Sequence, residues 1–241
     1  MPRERIDSEE NLMSSVNSGN QNSKTSETTG FNDMRPEADS AMKLQEMIKN
    51  KSPENLSQQI ETKGNVVPLY ADAWEIMNTE FKPSIMKLGA QVGGEAQVAP
   101  LKGLTRSKEK AKTEMGGDSA KLLDIIRGSI ICEKPSQLVE AFETTSKLFD
   151  IVRVKNRFAN PADGYRDLLL NIRLSNGHVA ELQLHLRHII NAKEKGHKDY
   201  EVARVLEAKK DRTDEENQEL ALRKADMQGL YDDAWSKVLE L

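Results

Sequence analysis

The sequence has a single cysteine, few aromatic residues and no long apolar run. Cys132 is the only thiol in 241 residues, so an intrachain disulfide is excluded and a buried thiol in a reducing compartment is expected. No stretch approaches the roughly 20 apolar residues that a membrane-spanning helix needs. The N-terminal residues MPRERIDSEENLMSS lack the apolar segment of a cleaved secretory signal. We therefore predict a soluble protein that acts in the cytoplasm and has no membrane partner, while export as an effector without a cleaved signal peptide stays open.

A strong excess of charge of either sign is also absent. Lys and Arg total 35 against 39 for Asp and Glu, which gives a formal net charge of -4. A chain with this balance has no overall electrostatic attraction for nucleic acid or for an anionic membrane. Any site that binds phosphate groups must therefore be a local cluster of basic residues.

The first quarter of the chain has few residues that build a core. Phe31 is the only aromatic residue before Tyr70, and runs such as SSVNSGNQNSKTSETTG are almost entirely polar. Such segments cannot bury enough surface to offset the entropy of ordering. We predict a disordered tail over residues 1–63, with at most a short helix in SAMKLQEMIKN, and a folded domain over residues 66–241. Polar leaders of this kind accompany some secreted effectors and also occur as ordinary linkers.

Apolar periodicity in the folded part predicts an α/β arrangement of helices and strands. The predicted helices cover residues 66–92, 105–115, 135–149, 187–209 and 213–239. Gly93-Gly94 ends the first of these helices, and Thr213 and Glu216 have capping-box spacing at the start of the last. The last helix presents an apolar face that suits docking on the sheet or on another subunit, so an oligomer through the C-terminal helices stays open.

Four segments are typical of β-strands. Residues 126–132 form a short apolar run, and IVRVKNRF, DLLLNIRL and HVAELQLHL alternate between apolar and polar residues. Asn176-Gly177 predicts a tight hairpin between the last two. The expected fold is a largely antiparallel mixed sheet flanked by helices, with one apolar and one polar face.

The polar face of this predicted sheet concentrates residues that could bind a ligand. Its members are Arg153, Lys155, Arg157, Asp167, Asn171, Glu181 and Gln183. Antiparallel sheets often leave one face in water, so a solvated surface and a binding site are both open on this evidence.

Two acidic residues favour a binding site over a solvated surface. Asp124 precedes the first strand in KLLDIIRGSIIC, and Glu181 stands in the middle of the last strand on its polar face. Carboxylates on neighbouring strands can share a magnesium ion, which keeps several waters and bridges substrate phosphates. The pair therefore predicts a site for phosphoryl transfer, although either acid alone is more often a surface residue.

Taken together, DIIRGSIIC, VKNRFANPADGYRDLLLNI and HVAELQLHL resemble the synthetase domain of the RelA/SpoT family in order and wording. That family has an aspartate before its first core strand, a Gly-Tyr-Arg turn and a strand that reads Glu-x-Gln. The match covers roughly residues 100 to 204, and its most specific parts are residues 164–166 and 181–183. The resemblance implies a nucleotidyltransferase-like synthetase domain. It also implies magnesium-dependent transfer of pyrophosphate from ATP to the 3'-hydroxyl of a purine nucleotide, as in the synthesis of ppGpp-type alarmones.

The resemblance also implies roles for individual residues. Asp124 would bind magnesium, and Glu181 would bind the metal or act as a base. Tyr165 would stack on the acceptor base. The other implied substrate-binding residues are Asn171 and Gln183 for the ribose or base, Lys155 and Arg157 for acceptor phosphates, Arg166 of the Gly-Tyr-Arg turn, and Arg106, Lys108 and Lys110 for the ATP triphosphate. The run TRSKEKAK that supplies the last three is equally typical of an exposed helix surface.

The sequence departs from the family pattern after the Gly-Tyr-Arg turn. Many members continue with Ser-Leu-His, whereas this chain continues with Asp167-Leu168-Leu169. Two alternatives therefore stay open. One is a catalytically silent module that binds a nucleotide and regulates another process, and the other is an enzyme that pyrophosphorylates an RNA end.

Overall fold

A five-stranded mixed sheet lies at the centre of the protein. The computed structural model describes residues 36–60, 62 and 64–241. The strands are β1 (Glu95–Val98), β2 (Arg127–Cys132), β3 (Asp150–Asn156), β4 (Leu168–Arg173) and β5 (Val179–Leu186), in the spatial order β1-β2-β5-β4-β3. Only the β2–β5 pair of this sheet is parallel. The predicted mixed, largely antiparallel sheet flanked by helices is confirmed.

The helices follow the predicted periodicity with two differences. They are α1 (Pro36–Glu46), α2 (Val67–Ile76), α3 (Lys82–Val92), α4 (Leu104–Glu114), α5 (Pro135–Leu148), α6 (Arg187–Lys195), α7 (His197–Ala208) and α8 (Asp214–Leu239), with a π-helical turn at Met77–Phe81 and a 3-10 turn at Ser119–Lys121. The π-helical turn interrupts the first predicted helix. The helix predicted over residues 187–209 is two helices that meet at Gly196, where a Cβ atom would lie 3.3 Å from Leu230.

The alternation of β4 and β5 places apolar side chains on one side of the sheet. Leu170, Ile172, Leu182 and Leu184 are fully buried, and helices α3 and α5 pack against the sheet. The hairpin between β4 and β5 contains Gly177 with φ of +85°, as the Asn-Gly signal predicted. Strand β1 was missed because four residues directly after Gly93-Gly94 are too few to show a period.

The predicted disordered tail over residues 1–63 is wrong for residues 36–60, whereas residues 1–35 lie outside the described part. Helix α1 packs on α5 and α8, and Ala41, Leu44 and Ile48 are buried. The side-chain amide of Asn156 donates hydrogen bonds of 2.7 Å to the carbonyl oxygens of both Leu44 and Ile48. The few apolar residues in this segment have helical spacing, so they form one face that the domain covers.

The C-terminal helices dock within the same chain. Helix α8 contacts α1, α6 and α7, and its buried side chains include Met227, Tyr231, Trp235 and Val238. The Trp235 ring lies 5.8 Å from the ring of Phe158. The capping box of Thr213 and Glu216 forms as predicted, because the amide of each residue donates a 3.2 Å hydrogen bond to the side chain of the other. The apolar face of these helices is thus covered within the chain. An oligomer through them stays a prediction.

A search of the described helices for a segment that is both long and apolar enough to cross a membrane finds none.

Candidate functional site

The first feature of the polar sheet face is a carboxylate held by two lysines. Asp124 lies three residues before β2, and its Oδ2 accepts hydrogen bonds from Lys102 and, over 2.7 Å, from Lys110 of α4. Burial by itself raises the pKa of Asp124, but the hydrogen bonds and charges of the two lysines outweigh it, so the pKa is lowered. Asp124 is therefore ionised at neutral pH.

Glu181 stands next to this group on β5. Its Cα pairs with that of Arg127 on β2, and its amide donates a 2.9 Å hydrogen bond to the carbonyl of Ile126. Burial and then the negative charge of Asp124 raise the pKa of Glu181. The predicted pair of carboxylates is thus brought together from β5 and from the segment that precedes β2, with opposite shifts of pKa.

The two carboxylates could serve as ligands for a divalent cation. Oδ1 of Asp124 is buried and has no hydrogen-bond partner among the described residues, so one carboxylate oxygen is available. No cluster of three or more His, Cys, Asp or Glu side chains with metal-binding geometry occurs in the described part of the chain. Magnesium suits such a small donor set, because it keeps several waters and takes further ligands from phosphates. Asp124 and Glu181 therefore fit the ion as a pair.

A second cluster surrounds Asp167, whose side chain is completely buried. Arg157 donates to both oxygens of Asp167, with 2.6 Å between Nη2 and Oδ2. The hydroxyl of Tyr165 and the amide of Gln183 also donate to Oδ2, over 3.1 and 3.2 Å. His185 Nδ1 lies 3.9 Å from the same oxygen. Residues from the turn directly after β3, from the turn before β4 and from β5 thus meet at one carboxylate.

Two cavities open on this face of the sheet. A cavity of about 300 Å³ lies between β1, β2 and β5, and one of about 520 Å³ lies between the sheet and helices α6, α7 and α8. The smaller is lined by Gln97, Val98, Ala99, Arg127, Gly128, Ser129, Glu181 and Gln183. The larger is lined by Arg157, Ala162, Asp163, Tyr165, Gln183, Lys193, His197, Tyr200, Met227 and Tyr231. Gln183 lines both, so the two cavities adjoin beside Glu181.

Solved structures with the same architecture include bacterial synthetases. The Type VI effector Tas1, solved with its immunity protein, has a TM-score of 0.53 at 22% identity over 70% of this chain and 95% of that chain. Small alarmone synthetase 2 from Bacillus subtilis has a TM-score of 0.50 at 20% identity, over 75% and 100% of the two chains. This chain has an alarmone-synthetase fold.

A GTP pyrophosphokinase family protein from Streptococcus pneumoniae shares this synthetase fold, with a TM-score of 0.51 at 17% identity over 70% of this chain and 90% of that chain. No protein-family profile matches the sequence, and no curated protein gives a significant match. The structural likeness confirms the resemblance that the three segments indicated.

The three basic residues predicted to bind the ATP triphosphate lie in different places in the structure. Lys110 reaches Asp124. Arg106 is exposed and forms an ion pair of 2.7 Å with Glu109 on its own helix. Lys108 lines a different cavity, beside the start of α2. Of the three, Lys110 alone is placed at the carboxylates.

Two of the predicted substrate-binding residues have hydrogen-bond partners within the chain, and their contacts with a substrate stay predictions. The guanidinium of Arg166 lies 5.1 Å from the Trp235 ring centroid, and the side chain donates a 2.7 Å hydrogen bond to the carbonyl of Gly164. Asn171 is buried and donates to the carbonyl of Leu123 over 3.3 Å. Arg166 therefore anchors α8, and Asn171 holds the segment that carries Asp124.

The remaining predicted residues lie at or beside the larger cavity. Arg157, Tyr165 and Gln183 line it, and Lys155 is exposed on the neighbouring part of β3. Partial burial, followed by the charges of Arg153 and Arg157, lowers the pKa of Lys155. An anion beside this strand would relieve the repulsion among the three cations.

Several residues of the site were missed from sequence. Lys102 occurs in a loop without a pattern, and the lining residues Lys193 and Tyr231 belong to helices that were interpreted as supporting elements. Arg127 is a charged residue inside an apolar strand, and its Nε is buried without a partner among the described residues. The charge of Arg127 within this apolar run was the one signal in the sequence that could have indicated its place in the site. Asp167 was placed on the polar face and noted as a departure from the family pattern, but no role was assigned to it.

Proposed function

We propose that this protein is a magnesium-dependent nucleotide pyrophosphokinase, which transfers pyrophosphate from ATP to the 3'-hydroxyl of a purine nucleotide. The observation that carries the proposal is the junction of the two cavities at Gln183, next to Glu181 and near the ionised Asp124. Two bound nucleotides would meet beside a carboxylate of raised pKa and one of lowered pKa. Such a pair suits a reaction that needs both a base and a metal ligand.

ATP would bind on the side of the smaller cavity. Lys102 and Lys110 lie beside Asp124, and Arg127 lines the cavity next to Glu181. These cations would contact the triphosphate and offset the charge that develops on its oxygens during transfer. Magnesium held by Asp124, the carboxylate of lowered pKa, would supply further positive charge at the same oxygens.

The acceptor nucleotide would bind in the larger cavity. Tyr165 and Tyr231 line it with rings 5.4 Å apart in an edge-to-face arrangement, and an aromatic wall suits the face of a purine base. Lys193 lies 5.4 Å from the Tyr165 ring centroid at the rim. It and Lys155 are the cations that we assign to the acceptor phosphates.

The transfer step uses Glu181 as the base. The carboxylate accepts the proton of the acceptor 3'-hydroxyl while the oxygen of that hydroxyl bonds to the β-phosphorus of ATP. The bond between that phosphorus and the oxygen that bridges it to the α-phosphorus breaks, and AMP leaves with the electron pair. The raised pKa makes Glu181 a stronger base than an ordinary glutamate.

A catalytically silent nucleotide-binding module is the second candidate. It is favoured by the contacts of Asp124, since Lys102 and Lys110 already balance its charge through Oδ2. The two candidates differ in turnover, because a silent module would bind a purine nucleotide without consuming ATP.

The deciding experiment incubates wild type, Glu181→Gln and Glu140→Gln with labelled ATP, magnesium and one acceptor at a time. The acceptors are adenine nucleotides, guanine nucleotides and an RNA oligonucleotide with a free 3' end. Glu140 is an exposed acid on α5 and serves as the matched control. We expect a pyrophosphorylated nucleotide from wild type and Glu140→Gln, and a rate lower by about 10²–10⁴-fold for Glu181→Gln.

The other outcomes of this assay identify the alternatives. Product on the RNA only would replace the nucleotide acceptor by an RNA end. Nucleotide binding without any product, from folded protein, would establish the silent module. Equal rates for wild type and Glu181→Gln would contradict the role of Glu181.

A further inference from the structure

Asp167 is a buried carboxylate that has no role in the transfer step. Its side chain is fully buried, yet it lies next to a cavity of about 520 Å³ without lining it. A buried carboxylate is unfavourable unless it is paired and hydrogen-bonded. Arg157 balances the charge of Asp167, and both carboxylate oxygens accept hydrogen bonds.

The donors to Asp167 are the polar residues of the cavity wall. Arg157, Tyr165 and Gln183 each line the cavity, and each donates a hydrogen bond to the carboxylate. They come from the turn directly after β3, from the turn before β4 and from β5. One carboxylate behind the wall therefore ties together three side chains that belong to different segments of the chain.

The orientation of Tyr165 depends most directly on this arrangement. Its hydroxyl is held by Asp167, and the guanidinium carbon of Arg157, which Asp167 also holds, lies 5.3 Å from the ring centroid. The ring is thus fixed both at its hydroxyl end and on its face. A purine that stacks on this ring would be placed by the same contacts.

We propose that Asp167 is a positioning residue for the acceptor nucleotide, an inference that rests on the proposed function. By holding Arg157, Tyr165 and Gln183 in one geometry, it fixes the acceptor cavity. By neutralising Arg157, it also leaves Lys193 as the cation of the cavity lining that has no ion pair among the described residues. The acceptor is then a purine nucleotide whose phosphates lie toward α6, and Asp167 does not act on ATP.

The test compares Asp167→Asn with Asp150→Asn. Asparagine keeps the size of the side chain, but it removes the charge and turns an NH₂ group toward groups that donate. Asp150 is an exposed acid of β3 whose nearest cation is Arg173 at 3.8 Å, so it serves as the control. Binding of GDP, GTP and ADP is measured by calorimetry without ATP, and KM is measured separately for acceptor and ATP.

We expect Asp167→Asn to raise the Kd and the KM of the acceptor about tenfold or more, while the KM of ATP changes less than about threefold. Asp150→Asn should match wild type. A parallel rise of both KM values would overturn the inference, as would an acceptor KM that stays unchanged in a folded variant. Failure of wild type to bind any of the three nucleotides would overturn it too.

Tyr165→Phe tests the same idea with less risk to folding. It removes only the hydroxyl that Asp167 holds, so the acceptor Kd should rise while the melting temperature and the KM of ATP stay near wild type. Unchanged acceptor binding in this variant would overturn the inference. If wild type binds the acceptor but forms no product, the proposed function fails, and the binding data on these variants still decide the role of Asp167.

Discussion

Lys110 Nζ donates a 2.7 Å hydrogen bond to Oδ2 of Asp124, which links helix α4 to the segment before β2. The bond places a cation of the basic run TRSKEKAK directly at the carboxylate assigned to magnesium. Lys108 belongs to the same run and lines a separate cavity. Two lysines that look equivalent in the sequence are therefore in different environments.

Replacing these lysines separates their roles. We expect Lys110→Gln to lower kcat/KM for ATP by about 10²-fold, since removal of one preorganised charge from a phosphoryl-transfer site has an effect of this order. Lys108→Gln should stay within about threefold of wild type, because its side chain does not reach the carboxylates. Steady-state kinetics with varied ATP measures both. An equal loss of kcat/KM for ATP in the two variants would support the prediction made from the sequence, in which both lysines contact the triphosphate.

The pH dependence of the reaction should report Glu181. Burial and the charge of Asp124 raise its pKa above the ordinary value of 4.5. The base form is therefore lost at a higher pH than for an ordinary glutamate, and kcat/KM should fall as the pH decreases through the raised pKa.

Lys110→Gln gives this pH prediction an internal check. The positive charge of Lys110 lowers the pKa of Glu181, so its removal should move the acidic limb of the profile to higher pH. The residual activity of this variant is measured against pH beside wild type. A limb that moves to lower pH, or does not move, would contradict the assignment of Glu181 as the base.

Helix α1 should contribute to the stability of the folded domain. Leu44 is fully buried, and Met42 on the same helix is 53% exposed. Leu44→Ala should lower the free energy of unfolding by about 2–5 kcal/mol, whereas Met42→Ala should change it by less than about 0.5 kcal/mol. Chemical denaturation of the two variants measures the difference. Equal stabilities would mean that α1 does not pack on the domain in solution.

His178 should make the fold less stable in acid. The ring is fully buried, neither nitrogen has a partner among the described residues, and burial lowers its pKa from 6.5 to about 4. Between these values the unfolded chain binds a proton that the folded chain does not. The free energy of unfolding should therefore decrease as the pH falls from about 6.5 to 4, by at most about 3 kcal/mol.

Two variants isolate the contribution of His178. His178→Leu should show a shallower loss of melting temperature between pH 7 and 4 than wild type. His197→Gln should follow wild type, because the His197 side chain is 63% exposed. The same acidic slope in wild type and His178→Leu would assign the effect to other groups.

Much of the fold could be predicted because its signals are local. The alternation in DLLLNIRL and HVAELQLHL, the Asn-Gly hairpin and the capping box of α8 each depend on residues close together in sequence. Strand β1 and the packing of helix α1 on the domain were not predicted, for the opposite reason. Both depend on distant segments, because β1 pairs with β2 and the side chain of Asn156 donates to the carbonyl of Leu44 in α1.

The candidate site divides in the same way. Asp124, Glu181, Tyr165 and Gln183 could be proposed from the sequence because strand alternation and the order of short motifs indicate them. Asn171 was expected at the ligand, but the structure buries it against the Leu123 carbonyl. Alternation indicates the face of a strand, whereas the partner across that face depends on the packing of other segments.

The sequence by itself determined four of the five strands of the sheet, its polar face and the pair of carboxylates, because periodicity and spacing act over short stretches of chain. Only the tertiary structure decided which cations serve those carboxylates. Lys102 and Lys110 reach Asp124 from separate segments of the chain. Asp167 accepts hydrogen bonds from side chains of three further segments. These contacts depend on how distant segments pack, since hydrogen bonds and ion pairs form at distances of a few ångströms regardless of separation along the chain.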